Sequence, residues 1–510
     1  MQSKVERAGN TYDVIVVGGG GSGLAAAVSA AQHGASVAVF EKQPELGGST
    51  GIAVGSFTTN RTGWQQRAGI EDSPEAHAED AGKFPPSEYE AVNNDELRAF
   101  FVAHSNKTLE WLRGMGLAFH GPSPEPPNRV PRMHNVVPAA KAYILCLQKH
   151  LLRHGGVIYC GAPVTRLLEE SGRVCGVEAE VDGAAQTFTA TRGVVLAAGD
   201  YAAAPDLIAR YKGEEFKDIE GIFQHAHGDG HRLAESVGAN LINMQVTYGP
   251  EIRFVPPEKK PLLQRLPAGG FFHRIMGALT PLAPKPVLNF IIKQQLVTWQ
   301  HPENALFDDG AILINSQGER FCNEKDSPLR ETAIAKQPGK ICYIVLDEKL
   351  VRKYSEWPDF ISTAPEIAYA YVEDYKRLRP DVTVAGAAPA GLAEARGIPA
   401  ENLEKTIAAY NAYTAGEAPD AFGRTGDTEP LAGGEWVLLG PAKAYFTTTE
   451  GSPAIDLEMR VLKEDGGTIP GLYAVGQNGL GGQVLWGHGL HIAWALTSGR
   501  LAGEKLAEKT

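Results

Sequence analysis

Apolar and polar positions open the chain in two successive rhythms. Tyr12 to Val17 is a short valine-rich run, the pattern of a strand buried on both faces. It leads into Gly18-Gly19-Gly20-Gly21-Ser22-Gly23, and Leu24 to His33 follows as an alanine-rich helix closed by Gly34. A second apolar run, Ser36 to Phe40, ends at Glu41. The order is strand, glycine turn, helix, strand, acid, and the spacing has a physical reason. Gly18 permits a tight turn, Gly20 lets the backbone approach a pyrophosphate, and Gly23 lets helix and strand pack closely. With Gly21 and Ser22, the helix start offers free N–H groups to phosphates. Glu41, 18 residues after Gly23 and followed by Lys42, reaches the tip of the second strand, where a carboxylate accepts from ribose hydroxyls. The pattern predicts a dinucleotide site. The alternative is a tight turn without a ligand.

Composition narrows the picture. At 510 residues the chain exceeds one ordinary core and predicts two domains, one interrupted by the other. The 43% apolar and 21% charged fractions are globular, and a formal charge of −12 argues against duplex nucleic acid as partner. The five cysteines form no C-x-x-C pair, so we expect buried thiols, no metal, and no haem or iron–sulfur cluster. The N-terminal residues lack an apolar core and a twin arginine, and a cytoplasmic location is the expectation.

Further motifs resolve which dinucleotide. Glu45-Leu46-Gly47-Gly48-Ser49-Thr50-Gly51 resembles the second phosphate and ribityl contact of glutathione-reductase-like flavoproteins. Pro163-Val164-Thr165, before a hairpin expected around Ser171-Gly172, matches where that group touches adenine. Gly193 to Asp200, with Ala198 and Gly199, resembles the strand returning to the FAD domain, and Gly471 to Asn478, with Gly476 and Gln477, the closing flavin strand. Gly228-Asp229-Gly230 and the stretch Gly310 to Glu324 complete a resemblance to the fumarate reductase and 3-ketosteroid dehydrogenase flavoprotein superfamily. The resemblance implies an α/β, Rossmann-like FAD-binding domain (1–246 and 440–510) interrupted by an α+β cap (247–439), with the active site between them. Thr50 stands where tethering relatives carry a histidine, which implies non-covalent FAD. Gly489, Leu490 and His491 begin a helix expected to face the flavin.

The substrate expectation comes from departures. Two carboxylates call for arginines. Arg330 lies out of the family register after Asn323-Glu324, no arginine occurs in Gln483 to Gly489, and threonines 447–449 stand where the family has a histidine. Aromatic and neutral residues remain: Tyr248, Tyr445, Trp486 and His488. These favour a lipophilic ring ketone, such as a 3-ketosteroid, over a diacid. By resemblance the reaction is dehydrogenation beside the carbonyl, with α-proton abstraction and β-hydride transfer to flavin N5. Tyr248 and His488 are the candidate acid/base groups, each with a packing role as the alternative. The Gly489 N–H would stabilise an enolate, and His134 and Tyr445 are further cleft candidates. His225, His227 and His231 read as a polar loop rather than a zinc site. Run backwards, the same site is an ene-reductase. A membrane-associated flavin subunit relaying electrons is the third reading.

One segment stands apart. Leu262 to Gln300 is apolar with Arg265, Arg274, Lys285 and Lys293, no acid, and four prolines. It is too broken to span a bilayer. Two amphipathic helices are expected, either a peripheral membrane anchor drawing in substrate or a quinone acceptor, or a packed cap or subunit interface.

Overall fold

The computed structural model describes residues 9–257, 293–294, 296–298, 300–364, 368–427 and 429–508. The predicted opening unit forms as strand Thr11–Val17, helix Gly21–Gln32 and strand Val37–Glu41, the last buried along its whole length. Its sheet runs in the order Arg460–Leu462, Thr468–Ala474, Ala184–Leu196, Thr11–Val17, Val37–Glu41, Val157–Cys160. All neighbours are parallel except the outermost pair, Arg460–Leu462 with Thr468–Ala474. The strands Val164–Glu170 and Arg173–Val181 form an antiparallel hairpin joined to Ala184–Leu196. They turn at Ser171 and Gly172, both at positive φ. Helix Gly21–Gln32 lies against the C-terminal helix Leu490–Ala507. A Cβ on Gly499 would stand 2.3 Å from the Ser22 carbonyl oxygen and one on Gly503 2.4 Å from that of Ala26, so the two backbones touch.

A second apolar core belongs to the cap. Its six-stranded sheet is built on the long strand Trp436–Phe446, which pairs with Glu220–Gly221, Glu251–Phe254, Cys342–Leu346 and Thr383–Gly386; Ile312–Ile314 adds to Cys342–Leu346. Helices Val372–Leu378, Pro389–Arg396 and Ala400–Thr414 contribute buried residues to this core. The fold class is the expected one, with mixed parallel and antiparallel sheets. The boundaries differ. The chain does not return to the first domain at 440, because strand Trp436–Phe446 is the centre of the cap sheet and crosses that position. Tyr201, Ile208 and Ile219 already pack in the cap core, ahead of the expected start at 247.

The stretch resembling a cap signature is a buried ion cluster. The fully buried Glu324 carboxylate takes Arg320 at 2.8 Å, Arg424 at 2.9 Å and the Leu313 N–H at 3.0 Å. Of the five thiols expected to be buried, Cys322 and Cys342 are, whereas Cys160 is exposed at a strand end. The amphipathic helices expected in 262–300 fall mostly on residues outside those described. At the described end Leu296 and Val297 are buried, and Lys293 binds Asp374 at 2.7 Å. Among the described residues no helix is long and apolar enough to cross a membrane.

Candidate active site and flavin cleft

A cavity runs from the glycine turn toward the domain junction. Gly18 makes the turn at φ +112, where a Cβ would meet the Ala197 carbonyl at 2.3 Å. Gly23 lets the helix sit on that turn, since a Cβ there would stand 2.0 Å from the Gly18 oxygen. Gly20, Gly21 and Ser22 line the cavity at the helix start, facing Gly48, Ser49 and Thr50 of the second glycine motif. Gly47 holds that motif in place by donating to the Gly19 carbonyl at 3.1 Å. Glu41 lines the cavity at the expected strand tip. Its carboxylate also braces the turn, accepting from the N–H groups of Gly19 and Gln43, both at 2.8 Å. Lys42 and Asp229 line the cavity as an ion pair at 2.5 Å, bridging the nucleotide unit and helix Asp229–Ser236.

Val164, Ala198, Gly199 and Gln477 also line the cavity, whereas Gly489, Leu490 and His491 are not among its lining residues. Gly476 acts behind it, donating to Ser498 Oγ at 3.0 Å. Sequence reading missed Phe40, Phe223 and Ala495 as lining residues, and it gave His225 and His227 only a loop role. Phe40 was legible as the last apolar residue before Glu41, whereas the others arrive through tertiary contact alone. The residues present fit a dinucleotide. The walls are open where Gly20 and Gly199 have no side chain, and the buried Gln477 Oε1 and Asn478 Nδ2 have no hydrogen-bond partner among the described residues. Among those residues no cluster of three or more His, Cys, Asp or Glu could hold a metal.

Gln477 links the cavity lining to the junction of the two domains. Gln477 Nε2 donates to Thr448 Oγ1, and Thr448 donates to Asp200 at 2.7 Å. Burial holds the Asp200 carboxyl above its usual pKa against the bonds from Thr448 and Thr449. Strand Thr448–Thr449 pairs with Thr247–Tyr248, which carries Tyr248 to the junction. The Tyr248 ring stacks on Trp486 at 4.6 Å and 11°, and Tyr89 meets Trp486 edge-on at 5.6 Å. Burial, reinforced by Glu251, pushes the Tyr248 hydroxyl well above its ordinary pKa, so it is a neutral donor near pH 7. His488 is half-exposed but walled by protein on several sides. Its Nδ1 lies 2.6 Å from Glu125 Oε1. Burial opposes the charged imidazole, yet the Glu125 bond and charge outweigh it and raise the His488 pKa.

Gly489 caps helix Leu490–Ala507 at φ +80; a Cβ there would meet Ser56 and Thr58 at 2.9 Å. Thr58 Oγ1 donates to the His488 carbonyl at 2.6 Å, which pins the helix start to strand Ser56–Thr58. Leu490 is buried, and His491 Nε2 meets the buried Glu450 at 2.9 Å.

Tyr445 lies on the same face of the cap sheet as Glu251, its strand partner. Burial and then Glu220 push its hydroxyl up to about 12. His134 is the correction. It is fully buried in strand Met133–Val137, with Nδ1 at 2.8 Å from the Arg132 carbonyl, Nε2 at 3.2 Å from Thr62 Oγ1, and its ring against Trp64. Both nitrogens are engaged and none of its surface reaches the cleft, so it is a strut. Arg330 is buried in the cap, bound to Glu331, Asn304 Oδ1 and the Glu324 carbonyl, with Phe307 beneath it. It is not a cleft arginine. Arg253 was missed. It binds Glu251 at 2.7 Å and Thr447 at 3.2 Å and influences both Tyr248 and His488. The alternation Glu251-Ile252-Arg253 on one strand was its sequence signal.

The family model described as FAD binding domain matches residues 13–271 and 289–486. An NADH:fumarate oxidoreductase of Klebsiella pneumoniae is 26% identical over 99% of this chain, which spans 48% of that protein's length. An open flavocytochrome c3 fumarate reductase superposes with a TM-score of 0.71 at 24% identity, covering 98% of this chain and 78% of the other. The 3-ketosteroid delta1-dehydrogenase of Sterolibacterium denitrificans superposes with a TM-score of 0.63 at 18% identity, covering 98% and 99%. At these identities the two structures establish the shared fold. FAD is the cofactor the cavity is built for. The chain belongs to the FAD binding domain family, and it shares its fold with a flavocytochrome c3 fumarate reductase and a 3-ketosteroid delta1-dehydrogenase.

Proposed function

We propose that this chain moves two electrons across the carbon–carbon bond next to the carbonyl of a lipophilic ring ketone, a 3-ketosteroid in its most specific form. The observation that carries this is the stacked Tyr248–Trp486 wall beside His488, with Arg330 held away in the cap. Flat apolar rings match an aromatic wall, and the nearby Arg253 guanidinium is paired with Glu251. Bound FAD supplies hydride chemistry at the flavin ring. The chain's own residues hold the ketone oxygen through Tyr248 or the Gly489 N–H and carry the α-proton through Tyr248 or His488. FAD is held without a covalent bond, Thr50 being unable to form the histidyl link. The electron partner is an external acceptor or donor, a quinone being one class.

A specific observation favours the reductive direction. Tyr248 and His488 are both biased toward their protonated forms, which suits delivery of a proton to an enone's α-carbon. The naming of the Klebsiella relative for fumarate supports a reductase as well. An anaerobic titration of the flavin-loaded protein tests both. A saturated 3-ketosteroid that bleaches the flavin supports dehydrogenation. Reoxidation of the dithionite-reduced protein by a steroid enone, with no bleaching by saturated ketones, supports reduction. No response to either class, alongside a response to fumarate, would overturn the ketone reading.

A further inference from the structure

We infer that Glu125 is the positioning residue of this cleft: one carboxylate oxygen orients the His488 ring so that Nε2 is the atom exchanging a proton with substrate. The inference rests on the proposed reaction and names a residue that acts through His488 without touching the substrate.

Glu125 Oε1 accepts from the His488 backbone N–H at 2.7 Å and lies 2.6 Å from Nδ1. An ionised carboxylate can only accept, so the short contact requires the proton on Nδ1. Nε2 is then the remaining nitrogen, bare in the neutral ring and a donor in the cation. The double contact matters. The same oxygen grips main chain and ring, so the imidazole is registered to the residue just before Gly489 and the C-terminal helix. A ring held only at its tip would keep freedom about its own side-chain bonds.

Glu125 is itself held in place. It is 5% exposed, and Pro124 and Pro126 on either side narrow its backbone freedom. Its carbonyl accepts from Asn128 N–H at 2.9 Å. Asn128 Oδ1 accepts from Arg132 Nη1 at 2.9 Å, and the fully buried Arg132 is fixed by Asp72 at 2.7 Å and Asp80 at 2.6 Å. Arg129 N–H also reaches Asp80, at 3.0 Å. The loop carrying Glu125 is thus anchored to a desolvated ion cluster, a rigid support of the kind a precise proton geometry needs.

The other groups facing His488 do not replace Glu125. Glu251 favours the imidazolium and Arg253 opposes it, and these two neutralise each other as an ion pair; Tyr248 stays uncharged. Among the described residues, Glu125 is the one carboxylate recorded in contact with the ring.

The test uses flavin-loaded protein with ¹³C-labelled histidine, comparing Glu125→Gln with the parent and assigning the resonance through His488→Gln. Glutamine keeps the shape and an acceptor oxygen but removes the charge. The expected result is a His488 titration lowered by about one pH unit or more, with the neutral ring no longer confined to one tautomer and flavin absorbance unchanged. With a ketone or enone that changes the flavin spectrum, kcat should fall about 10²-fold with KM little altered. The alkaline limb of the kcat profile should move down with the NMR value, and Glu125→Asp should recover part of the rate. An unchanged titration and tautomer would overturn the inference even if turnover fell. A lowered titration with no flavin response to any ketone or enone would uphold the positioning of His488 and defeat the proposed reaction.

Discussion

At neutral pH the Tyr248 hydroxyl keeps its proton, because the junction that buries it disfavours a phenolate and nearby Glu251 adds to that. In the proposed reaction it serves as a donor. Tyr248→Phe should therefore lower turnover by about 10²-fold or more while flavin stays bound and the stack on Trp486 persists. Turnover close to the parent's would remove Tyr248 from the chemistry. Gly20 offers a second test. A Cβ there meets nothing nearer than Gly48 Cα at 3.8 Å, so the backbone tolerates a side chain, and only its outer atoms enter the cavity. Gly20→Val should give a folded, colourless protein. A yellow purified variant would contradict the phosphate role of the turn.

Two helices in backbone contact hold the cofactor end together. Gly499 and Gly503 of helix Leu490–Ala507 face Ser22 and Ala26 of helix Gly21–Gln32. The N-terminus of the first of these helices reaches the domain junction, and that of the second faces the cavity. Gly499→Ala puts a methyl against a carbonyl oxygen that cannot rotate away. We expect a loss of about 1–3 kcal/mol, read as a lower urea midpoint with an unchanged slope, and weaker FAD retention. Stability equal to the parent's would show that the helices can separate freely. The ribbons that link the domains, Thr247–Tyr248 with Thr448–Thr449 and Leu241–Ile242 with Ser452–Pro453, are only two residues long on each side. Elements that short leave no periodicity to read, which is why Tyr248 was legible as a candidate and its pairing to Thr448 was not.

At the scale of the whole molecule, three histidines buried among the described residues tie stability to pH. Burial, with Arg132 adding to it, pulls His77 down to about 3. Burial pulls His134 and His231 to about 4, against the backbone bonds from each ring. In the unfolded chain each titrates near 6.5. Between these values the unfolded state binds more protons, so stability is complete above about pH 6.5 and falls as the pH drops toward 4, by up to about 1.4 kcal/mol per pH unit for each ring. Urea midpoints should decline over that window. His231→Gln, which keeps a donor to the Gly451 carbonyl, should decline less steeply. Equal slopes would assign the acid lability to other groups.

The nucleotide unit was legible because its information is local. The turn at Gly18, the close packing at Gly23 and the acid at Glu41 depend on backbone sterics and on residues a few positions apart, so the order strand, turn, helix, strand survived into three dimensions. The displacement of Arg330 from the family register was also legible, and the structure buries that side chain in the cap. Tertiary structure alone decided what lies across the chain from those motifs. His134 and His488 look alike as exposed-type polar residues, yet one is packed between Thr62 and Trp64 and the other is half-exposed beside Glu125. Glu125 meets His488, and Arg253 meets Thr447, across sequence separations no period connects. The cap's edge at Phe446 rather than 439 follows from strand Trp436–Phe446 pairing with four partners drawn from distant stretches. Protonation follows the same rule. The ordinary pKa belongs to the residue type, but the direction in which Tyr248 and His488 shift is set by burial and by charges that only the fold brings near.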